Sequence, residues 1–340
     1  MEAAIAEYLK SRLAAAGDVR ISHLLRIPGG ASRETWMFKA TWADDGGRQS
    51  QEFILRQDPP ASLLDTDRAA EYAFYSAFAG SPVPVPAMRW LEPDASVLGG
   101  PFFIMERIGG CESSQRAIAE PRYQAVAHTI AGNMYRILAA IARFDWRSTA
   151  IEGHVQAPAA DECWRVELDR WEQVIDDNEL SPQPIARAAI RWLRANPPPS
   201  AQCVSVVHGD YRVGNFLYTA GGEIEAILDW EMAHLGDPLE DLAWSFNESW
   251  QWAGDGRPGG IVTIEEACRL WSAHSGLEVD QAALQWWRLF TDVKCQGIWL
   301  TGTRTFQAGR SRELILPLIS YTLVNSQDQA MLRAMGRWTP

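Results

Sequence analysis

The sequence predicts an α+β protein of two lobes, with a β-rich first third and a mainly helical remainder. A chain of 340 residues is long enough to divide into two units. Strand-like runs separated by glycine turns dominate up to residue 108, and helical spacing dominates from residue 121 onward. We therefore expect a β-rich N-terminal lobe at 1–108 and a helical C-terminal lobe at 109–340.

Turn residues mark where the strands and the helix of the first lobe begin and end. A strand at 19–27 enters a glycine-containing loop that carries Gly30, Ser32 and Arg33, and a second strand returns at 35–41. Such a loop between strands can place backbone N–H groups over a phosphate chain, although a plain hairpin turn would look similar. A third strand is predicted at 51–56, a helix at 67–79, a strand at 87–91 and a further apolar strand before the hinge at 106–108.

The second lobe shows helical spacing with a few loops. The predicted helices cover 123–144, 161–175, 181–195, 264–275, 280–308 and 310–335. The run Asp237-Pro238-Leu239-Glu240 predicts a helix start, with Asp237 as the N-cap and Pro238 at the first helical position. We therefore assign Asp237 and Asp241 structural roles.

Composition and charge narrow the classes of function. The net charge of −12 argues against a nucleic-acid partner, since phosphate backbones attract clustered lysine and arginine. No apolar run approaches the ~20 residues that span a bilayer, so we expect no membrane association. The five cysteines are scattered without a C-x-x-C pair, which favours a reducing compartment. Residues 1–18 have the pattern of an amphipathic helix rather than an export signal, and we expect a cytoplasmic protein.

Residues 203–244 carry the chemistry. A short β-branched run leads into His208-Gly209-Asp210, Asn215 follows five residues later, and two strand-like runs at 216–219 and 224–228 end in Asp229. Because a hairpin folds back on itself, Asn215 and Asp229 should lie close together. Two oxygen ligands beside a third carboxylate suit a hard cation and a proton acceptor in phosphoryl transfer.

The spacing H-x-D-x-x-x-x-N followed by a strand-terminal Asp resembles the catalytic and metal-binding loops of protein kinases. The spelling HGDYRVGN…ILDWE…GDPLEDLAW is closer to the aminoglycoside phosphotransferase (choline-kinase-like) family. That resemblance implies a bilobal protein-kinase-like fold that uses ATP and Mg²⁺. It implies that Asp210 orients and deprotonates an acceptor hydroxyl, that Asn215 and Asp229 hold magnesium, and that His208 braces the loop.

The resemblance also assigns nucleotide-binding residues to the first lobe. The loop with Gly30, Ser32 and Arg33 is similar to the family's nucleotide loop. Kinases place a lysine at the end of the third strand, whereas this sequence ends that strand in Arg56. We assign the phosphate contact to Arg56, whose guanidinium can bind phosphate bidentately.

Two further assignments come from the kinase pattern. Glu71 in the first turns of the following helix would pair with Arg56, although a solvent-facing glutamate would fit the sequence equally well. Backbone groups from Glu106 to Ile108, in the hinge, would hydrogen-bond the adenine.

The acceptor is left open. Sixteen tryptophans favour core packing, or else an aromatic pocket. The acids Glu167, Asp169, Glu172, Asp176 and Asp177 would form either a wall for a cationic ligand or a solvated face. The Arg-rich segments with Arg304, Arg310 and Arg312 would suit a CoA-linked acceptor, since family members act on aminoglycosides, choline or hydroxyacyl-CoA thioesters. The small-molecule hydroxyl acceptor is thus aromatic, cationic or CoA-linked, and the protein a monomer or homodimer.

Three alternatives compete with a small-molecule kinase. One is a hydrolase with a mixed metal site of His208, Asp210, Asp229 and His234. Another is a catalytically silent nucleotide-binding module, a pseudokinase, which the missing lysine favours and the joint presence of Asp210, Asn215 and Asp229 disfavours. A protein kinase is disfavoured, because the chain runs quickly from Asp229 into the helix near Asp237 and leaves no long activation segment.

Overall fold

A five-stranded antiparallel sheet forms the N-terminal part of the protein. The computed structural model describes residues 1–13, 15, 17–27, 34–58, 67–251, 255–311 and 313–337, without the side chain of Ile319. The strand order in the sheet is β1-β2-β3-β5-β4. The strands are β1 (Arg20–Ile27), β2 (Glu34–Asp44), β3 (Gly47–Gln57), β4 (Met88–Glu92) and β5 (Phe102–Glu106).

One face of the sheet is closed by the first helix, α1 (Glu2–Arg12), which buries Ile5, Tyr8 and Leu9. These side chains join Phe38 and Phe53 in a separate apolar cluster. The other face carries α2 (Arg68–Ala77), which begins where Asp67 accepts a hydrogen bond from the Ala69 amide at 2.8 Å. The predicted sheet and its helix are therefore present, with ends shifted by a few residues.

The strand β3 changes character along its length. Residues 47–52 are exposed or partly exposed, whereas the last five residues, 53–57, are all buried. Strand β5 pairs with this buried end, and Arg56 lies opposite Phe103. The strand therefore delivers a charged guanidinium into the interior, where only paired charges are tolerated.

Helices make up most of the remaining chain. The largest apolar cluster lies among them and includes the almost fully buried rings of Trp171, Trp230, Trp271, Trp286 and Trp287. The helices are α3 (Pro121–Gln124), α4 (Ala127–Ala142), α5 (Cys163–Asn178), α6 (Pro184–Ala195), α7 (Leu239–Trp244), α8 (Ile264–Ser275), α9 (Gln281–Gln307) and α10 (Ile315–Ala334).

Several predicted helix ends are wrong. The helix expected at 123–144 is broken into α3 and α4 at residues 125–126. The helix expected to start at Pro238 begins one residue later, at Leu239, although the Asp237 carboxylate does accept from the Leu239 amide at 2.9 Å. The predicted interruption near Gly309 is confirmed, since Gly309 has a φ of +69° just beyond α9.

Two small antiparallel pairs are embedded among the helices. Strand β6 (Ser205–Val207) pairs with β9 (His234–Gly236). The sequence predicted the first of these strands but not β9. Strands β7 (Phe216–Tyr218) and β8 (Ile224–Ile227) form the predicted hairpin. A sheet followed by a mainly helical region confirms the predicted α+β class. Within the described residues, no helix combines the length and apolar character needed to cross a membrane.

Candidate active site

The loop after β6 is held from both sides by hydrogen bonds. The backbone amides of His208 and Gly209 donate to the two carboxylate oxygens of Asp241 at 2.6 and 2.9 Å. Asp241 lies on α7, which fits the structural role predicted for it. Burial raises the pKa of Asp241 to about 7, and the two amide donors oppose that rise.

His208 connects this loop to the end of the hairpin. Its Nδ1 accepts from the Asp210 amide at 3.1 Å, and its Nε2 lies 2.8 Å from the carbonyl oxygen of Leu228. Nε2 therefore carries the proton, in a neutral ring. Burial lowers the pKa of His208 to about 4, so the ring stays neutral at physiological pH. His208 thus joins the loop to the end of the hairpin through its two hydrogen bonds.

The hairpin brings Asn215 and Asp229 to the same place. Phe216 pairs with Ile227, and the Leu228 amide donates to the Asn215 carbonyl at 2.7 Å, which closes the open end of the hairpin. Both side chains line one cavity. Asp229 has a left-handed backbone, with φ 68° and ψ 55°, which is uncommon for a residue other than glycine.

Asp210 accepts hydrogen bonds from three side chains. Nδ2 of Asn215 donates to one carboxylate oxygen at 2.6 Å, which leaves the amide oxygen of Asn215 available as a metal ligand. Nε of Arg212 and Nε1 of Trp244 donate to the other oxygen at 2.9 and 2.8 Å. The Arg212 guanidinium lies over the Trp250 ring, 4.3 Å from its centroid. Asp210 is therefore held in one orientation.

Arg56 bridges two carboxylates. Nη1 donates to Oε1 of Glu71 at 3.0 Å, so the predicted ion pair is present, and Glu71 is buried. Nη2 donates to Oδ1 of Asp229 at 2.6 Å, a contact that the sequence analysis did not predict. Glu71 also accepts from Arg68 at 2.8 Å. Burial would raise the pKa of Asp229, but Arg56 lowers it below the ordinary value, so the carboxylate is ionised.

A cavity of about 370 Å³ lies between the sheet and the hairpin. Arg56, Asn215 and Asp229 are among its lining residues. Its apolar lining comes from Ile54 and Met105 on the sheet and from Leu217 and Leu228 on the hairpin, and Glu106, Arg107 and Ile108 also border it. The amides of Glu106 and Arg107 donate to the carbonyls of Ala87 and Glu52, which fixes the hinge backbone.

Some predicted features lie elsewhere. Gly30, Ser32 and Arg33 are outside the described residues, as is Arg312. Arg304 and Arg310 are exposed at the end of α9 and just after it.

The mixed metal site of the hydrolase alternative is not formed. Both ring nitrogens of His208 are engaged by backbone groups, one of Asp210 and one of Leu228. His234 lies instead with Glu167 and Glu240, and a ring nitrogen and one carboxylate oxygen of each glutamate lie within 4.8 Å of one another.

The acidic face of α5 is paired rather than free. Asp169 lies 2.6 Å from Arg194, which also contacts Glu172, and Asp176 lies 2.5 Å from Arg187. These contacts favour a paired, solvated face over a wall for a cationic ligand. Most of the tryptophans that the structure describes in the helical part of the chain are buried, which favours core packing over an aromatic pocket.

The antiparallel sheet, the hinge and the two polar loops around one cavity define a protein of the protein-kinase-like fold. A model of the phosphotransferase enzyme family APH matches residues 23–277. Since this match covers most of the chain, the protein belongs to that phosphotransferase family.

Solved structures share the fold. A putative aminoglycoside phosphotransferase from Ralstonia eutropha JMP134 superimposes with a TM-score of 0.75 over 99% of both chains, at 22% identity. A thermostable mutant of the aminoglycoside phosphotransferase APH(4)-Ia, in a ternary complex with AMP-PNP and hygromycin B, gives a TM-score of 0.61 over 97% of this chain and 98% of its own, at 17% identity. At these identities the likeness concerns the fold alone.

Curated relatives are longer proteins. The mouse (Mus musculus) acyl-CoA dehydrogenase family member 10 is 29% identical over 247 residues, which are 71% of this chain and 22% of the mouse protein. The chicken (Gallus gallus) acyl-CoA dehydrogenase family member 11 is 28% identical over 205 residues, 57% of this chain and 25% of that protein. The chain thus spans about a quarter of the length of these relatives.

Proposed function

We propose that the protein is an ATP- and Mg²⁺-dependent phosphotransferase that transfers the γ-phosphoryl group to a hydroxyl of a small molecule. One observation carries the proposal. Asn215 donates to the Asp210 carboxylate at 2.6 Å and lines the same cavity as Asp229. A carboxylate poised next to two oxygen ligands in one cleft suits in-line phosphoryl transfer, which depends on positioning and charge neutralisation.

Asn215 and Asp229 would hold the magnesium. Their donor atoms fit a hard cation, because the amide nitrogen of Asn215 is engaged by Asp210 and its oxygen is left over, while Asp229 is ionised. When bound, Mg²⁺ would neutralise charge on the phosphates. Arg56 already holds Asp229 and would contribute a second positive charge beside the phosphates.

The nucleotide would lie with its adenine between the apolar residues of the sheet and of the hairpin. Backbone groups of Glu106 and Ile108 would bind the adenine edge, and the loop with Gly30, Ser32 and Arg33 would cover the phosphates. The AMP-PNP in the APH(4)-Ia complex supports a nucleotide site in this fold. Residues 1–108 would then form the nucleotide lobe, and 109–340 the lobe that binds the acceptor.

Asp210 would act as the base. Its side chain is 15% exposed, so it can meet an acceptor hydroxyl, while Arg212, Trp244 and Asn215 hold its two oxygens. A proton taken from the hydroxyl would pass to the Asp210 carboxylate as the hydroxyl oxygen bonds to the γ-phosphorus, while the bond from that phosphorus to the bridging oxygen breaks and ADP leaves.

A CoA-linked alcohol is the acceptor class that the relatives favour. The chain resembles about a quarter of each of two proteins named as acyl-CoA dehydrogenase family members. A phosphotransferase segment joined to such an enzyme suggests a hydroxyacyl-CoA thioester as the alcohol. An aminoglycoside is the second candidate, because hygromycin B is bound in the APH(4)-Ia complex.

An acceptor screen tests the proposal. Hydroxyacyl-CoA thioesters, aminoglycosides, macrolides and amino alcohols would each be incubated with ATP or GTP and Mg²⁺, and acceptor-dependent ADP or GDP release measured. We expect release with one class and none with the matched Asp210→Ala variant. If the wild-type protein binds nucleotide but neither transfers nor slowly hydrolyses it, the silent-module alternative is correct.

A further inference from the structure

One of the three lysines of the chain is buried in the helical region. Lys294 lies on α9 and is 1% exposed, whereas Lys10 is on the surface. A buried ammonium group is costly unless it is paired and hydrogen-bonded. Nζ of Lys294 donates to the carbonyl oxygen of Gly209 at 2.6 Å and to Oε1 of Glu240 at 2.9 Å. The position of this charge is therefore determined by its two partners.

Gly209 immediately precedes Asp210. Its amide is held by Asp241 and its carbonyl by Lys294, so two side chains fix both of its polar backbone groups. Its φ is +81°. The carbonyl that Lys294 holds belongs to the peptide bond between Gly209 and Asp210, and the orientation of that peptide directs the Asp210 side chain.

A second set of charges lies behind Lys294. The other carboxylate oxygen of Glu240 is 3.1 Å from Nε2 of His234, and Oε1 of Glu167 is 3.7 Å from the same nitrogen. His234 Nδ1 donates to the Met232 carbonyl at 3.0 Å, so Nε2 is directed at the two glutamates. A protonated His234 and Lys294 together balance Glu240 and Glu167. These four residues form what we call the buried charge cluster.

The buried charge cluster ends at a second cavity. That cavity, of about 200 Å³, is lined by His234, Glu71, Glu231, His154 and Arg170 among others. Arg170 also lies 3.5 Å from Glu167. The cluster thus connects the surface near α2 with the loop of Asp210, and Lys294 is its member that contacts that loop.

We infer that Lys294 is a positioning residue for phosphoryl transfer: it holds the Gly209–Asp210 peptide so that the Asp210 carboxylate meets the acceptor. Glu240, supported by His234 and Glu167, holds Lys294 in place. This inference rests on the proposed function for its kinetic consequence, but the contact between Lys294 and Gly209 can be tested without any turnover.

Two variants separate positioning from charge balance. Lys294→Met introduces an apolar side chain of similar length and removes one of the two cations that contact Glu240. It should therefore lower both stability and kcat. The double variant Lys294→Met/Glu240→Gln removes the unpaired charge as well. We expect it to regain thermal stability while kcat stays about 100-fold below wild type, since small misplacements in an active site have that effect. The KM for ATP should change less than twofold.

Lys10→Met is the matched control, since it removes an exposed lysine and should leave kcat and stability unchanged. If the double variant regains kcat together with stability, Lys294 only balances the charge of Glu240, and the inference is wrong. A folded Lys294→Met protein with wild-type kcat would overturn it as well.

Isotope labelling tests the contact independently of activity. The sequence contains four Gly–Asp peptide bonds, at 17–18, 209–210, 236–237 and 254–255, so labelling glycine carbonyls with ¹³C and aspartate amides with ¹⁵N gives four NMR signals. The signal missing from Asp210→Asn identifies the bond at 209–210. We expect it to shift or broaden in the double variant. An unchanged signal would overturn the inference, whether or not the wild-type protein transfers phosphate. Absence of phosphate transfer by the wild type would count against the proposed function alone.

Discussion

The guanidinium of Arg56 lies between Glu71 and Asp229, with Nη2 only 2.6 Å from Oδ1 of Asp229, a residue 173 positions further along the chain. It ties the end of β3 to α2 and to the loop after the hairpin. An ammonium group is a point charge and cannot reproduce both contacts of the forked guanidinium.

Arg56→Lys should therefore weaken ATP binding about tenfold, which is the loss of one charged hydrogen bond, and Arg56→Ala about 100-fold. Isothermal titration calorimetry with ATP and Mg²⁺ measures both affinities. Arg269→Lys, an exposed substitution on α8, serves as the control and should bind normally. Wild-type affinity in Arg56→Lys would show that the bridge does not contribute to the nucleotide site.

Removal of the Asp229 carboxylate should abolish the dependence of ATP binding on magnesium. Asp229→Ala takes away the ionised carboxylate that we propose holds magnesium, while the apolar lining of the cavity is unchanged. We expect weak ATP binding that is the same with and without Mg²⁺. Calorimetry at several Mg²⁺ concentrations measures this, and a wild-type magnesium dependence would remove Asp229 from its proposed role.

Asp210→Ala should abolish turnover while nucleotide affinity survives. General-base catalysis typically contributes roughly 10²–10⁴-fold to the rate, and in the proposed function Asp210 meets the acceptor hydroxyl rather than the nucleotide. The comparison needs kcat from acceptor-dependent ADP release and a Kd for ATP. Asp18→Ala, which removes an exposed carboxylate, is the control. Unchanged turnover in Asp210→Ala would disprove its role as the base.

Gly209→Ala should be far more damaging than an ordinary glycine substitution. Both Gly209 and Gly80 have positive φ, at +81° and +76°, so each pays the strain of a left-handed alanine, about 1–2 kcal/mol. At Gly80 a Cβ meets nothing within 4 Å, whereas at Gly209 it would lie 2.4 Å from the Met232 carbonyl oxygen. We expect the loss of unfolding free energy in Gly209→Ala to exceed that in Gly80→Ala, as measured by urea denaturation. Equal losses would show that the loop relaxes freely.

The local parts of the site could be predicted from the sequence. The hairpin joins Asn215 and Asp229 within 15 positions, and its glycine turn and alternating strands are visible in the sequence. Contacts between distant segments could not be derived, because they depend on how the elements pack. The bridge from Arg56 to Asp229 and the contact of Lys294 with Gly209, 85 positions away, are of this kind.

Lys294 did leave a signal in the sequence. It is the one lysine of α9, and the residues three and four positions away on the same helix face, Phe290, Thr291, Gly297 and Ile298, are all uncharged. A solvent-facing helix face normally carries several charges. Trp244 gave none, because a core tryptophan whose indole N–H binds Asp210 has the same pattern as any buried tryptophan. The start of α7 was misplaced because the capping pattern does not fix the first helical residue. Asp237 accepts a hydrogen bond from the Leu239 amide, yet the helix begins at Leu239 and not at Pro238.

The buried charge cluster makes stability depend on pH through His234. Burial lowers its pKa, but Glu167 and Glu240 outweigh this and raise it to about 9, against an ordinary value of 6.5. The stabilisation is therefore complete below pH 6.5 and is lost as the pH rises through 9, because in that window only the folded state keeps the proton. A shift of this size corresponds to at most about 3 kcal/mol.

The unfolding free energy of the wild type should thus fall more steeply between pH 6.5 and 9 than that of His234→Gln, by the slope of nearly one proton. Urea denaturation at a series of pH values measures both slopes. His128→Gln changes an exposed histidine on α4 and should keep the wild-type profile. Parallel profiles for the wild type and His234→Gln would mean that His234 is neutral in the folded protein. Within the buried charge cluster, Lys294 alone would then place a positive charge beside Glu240.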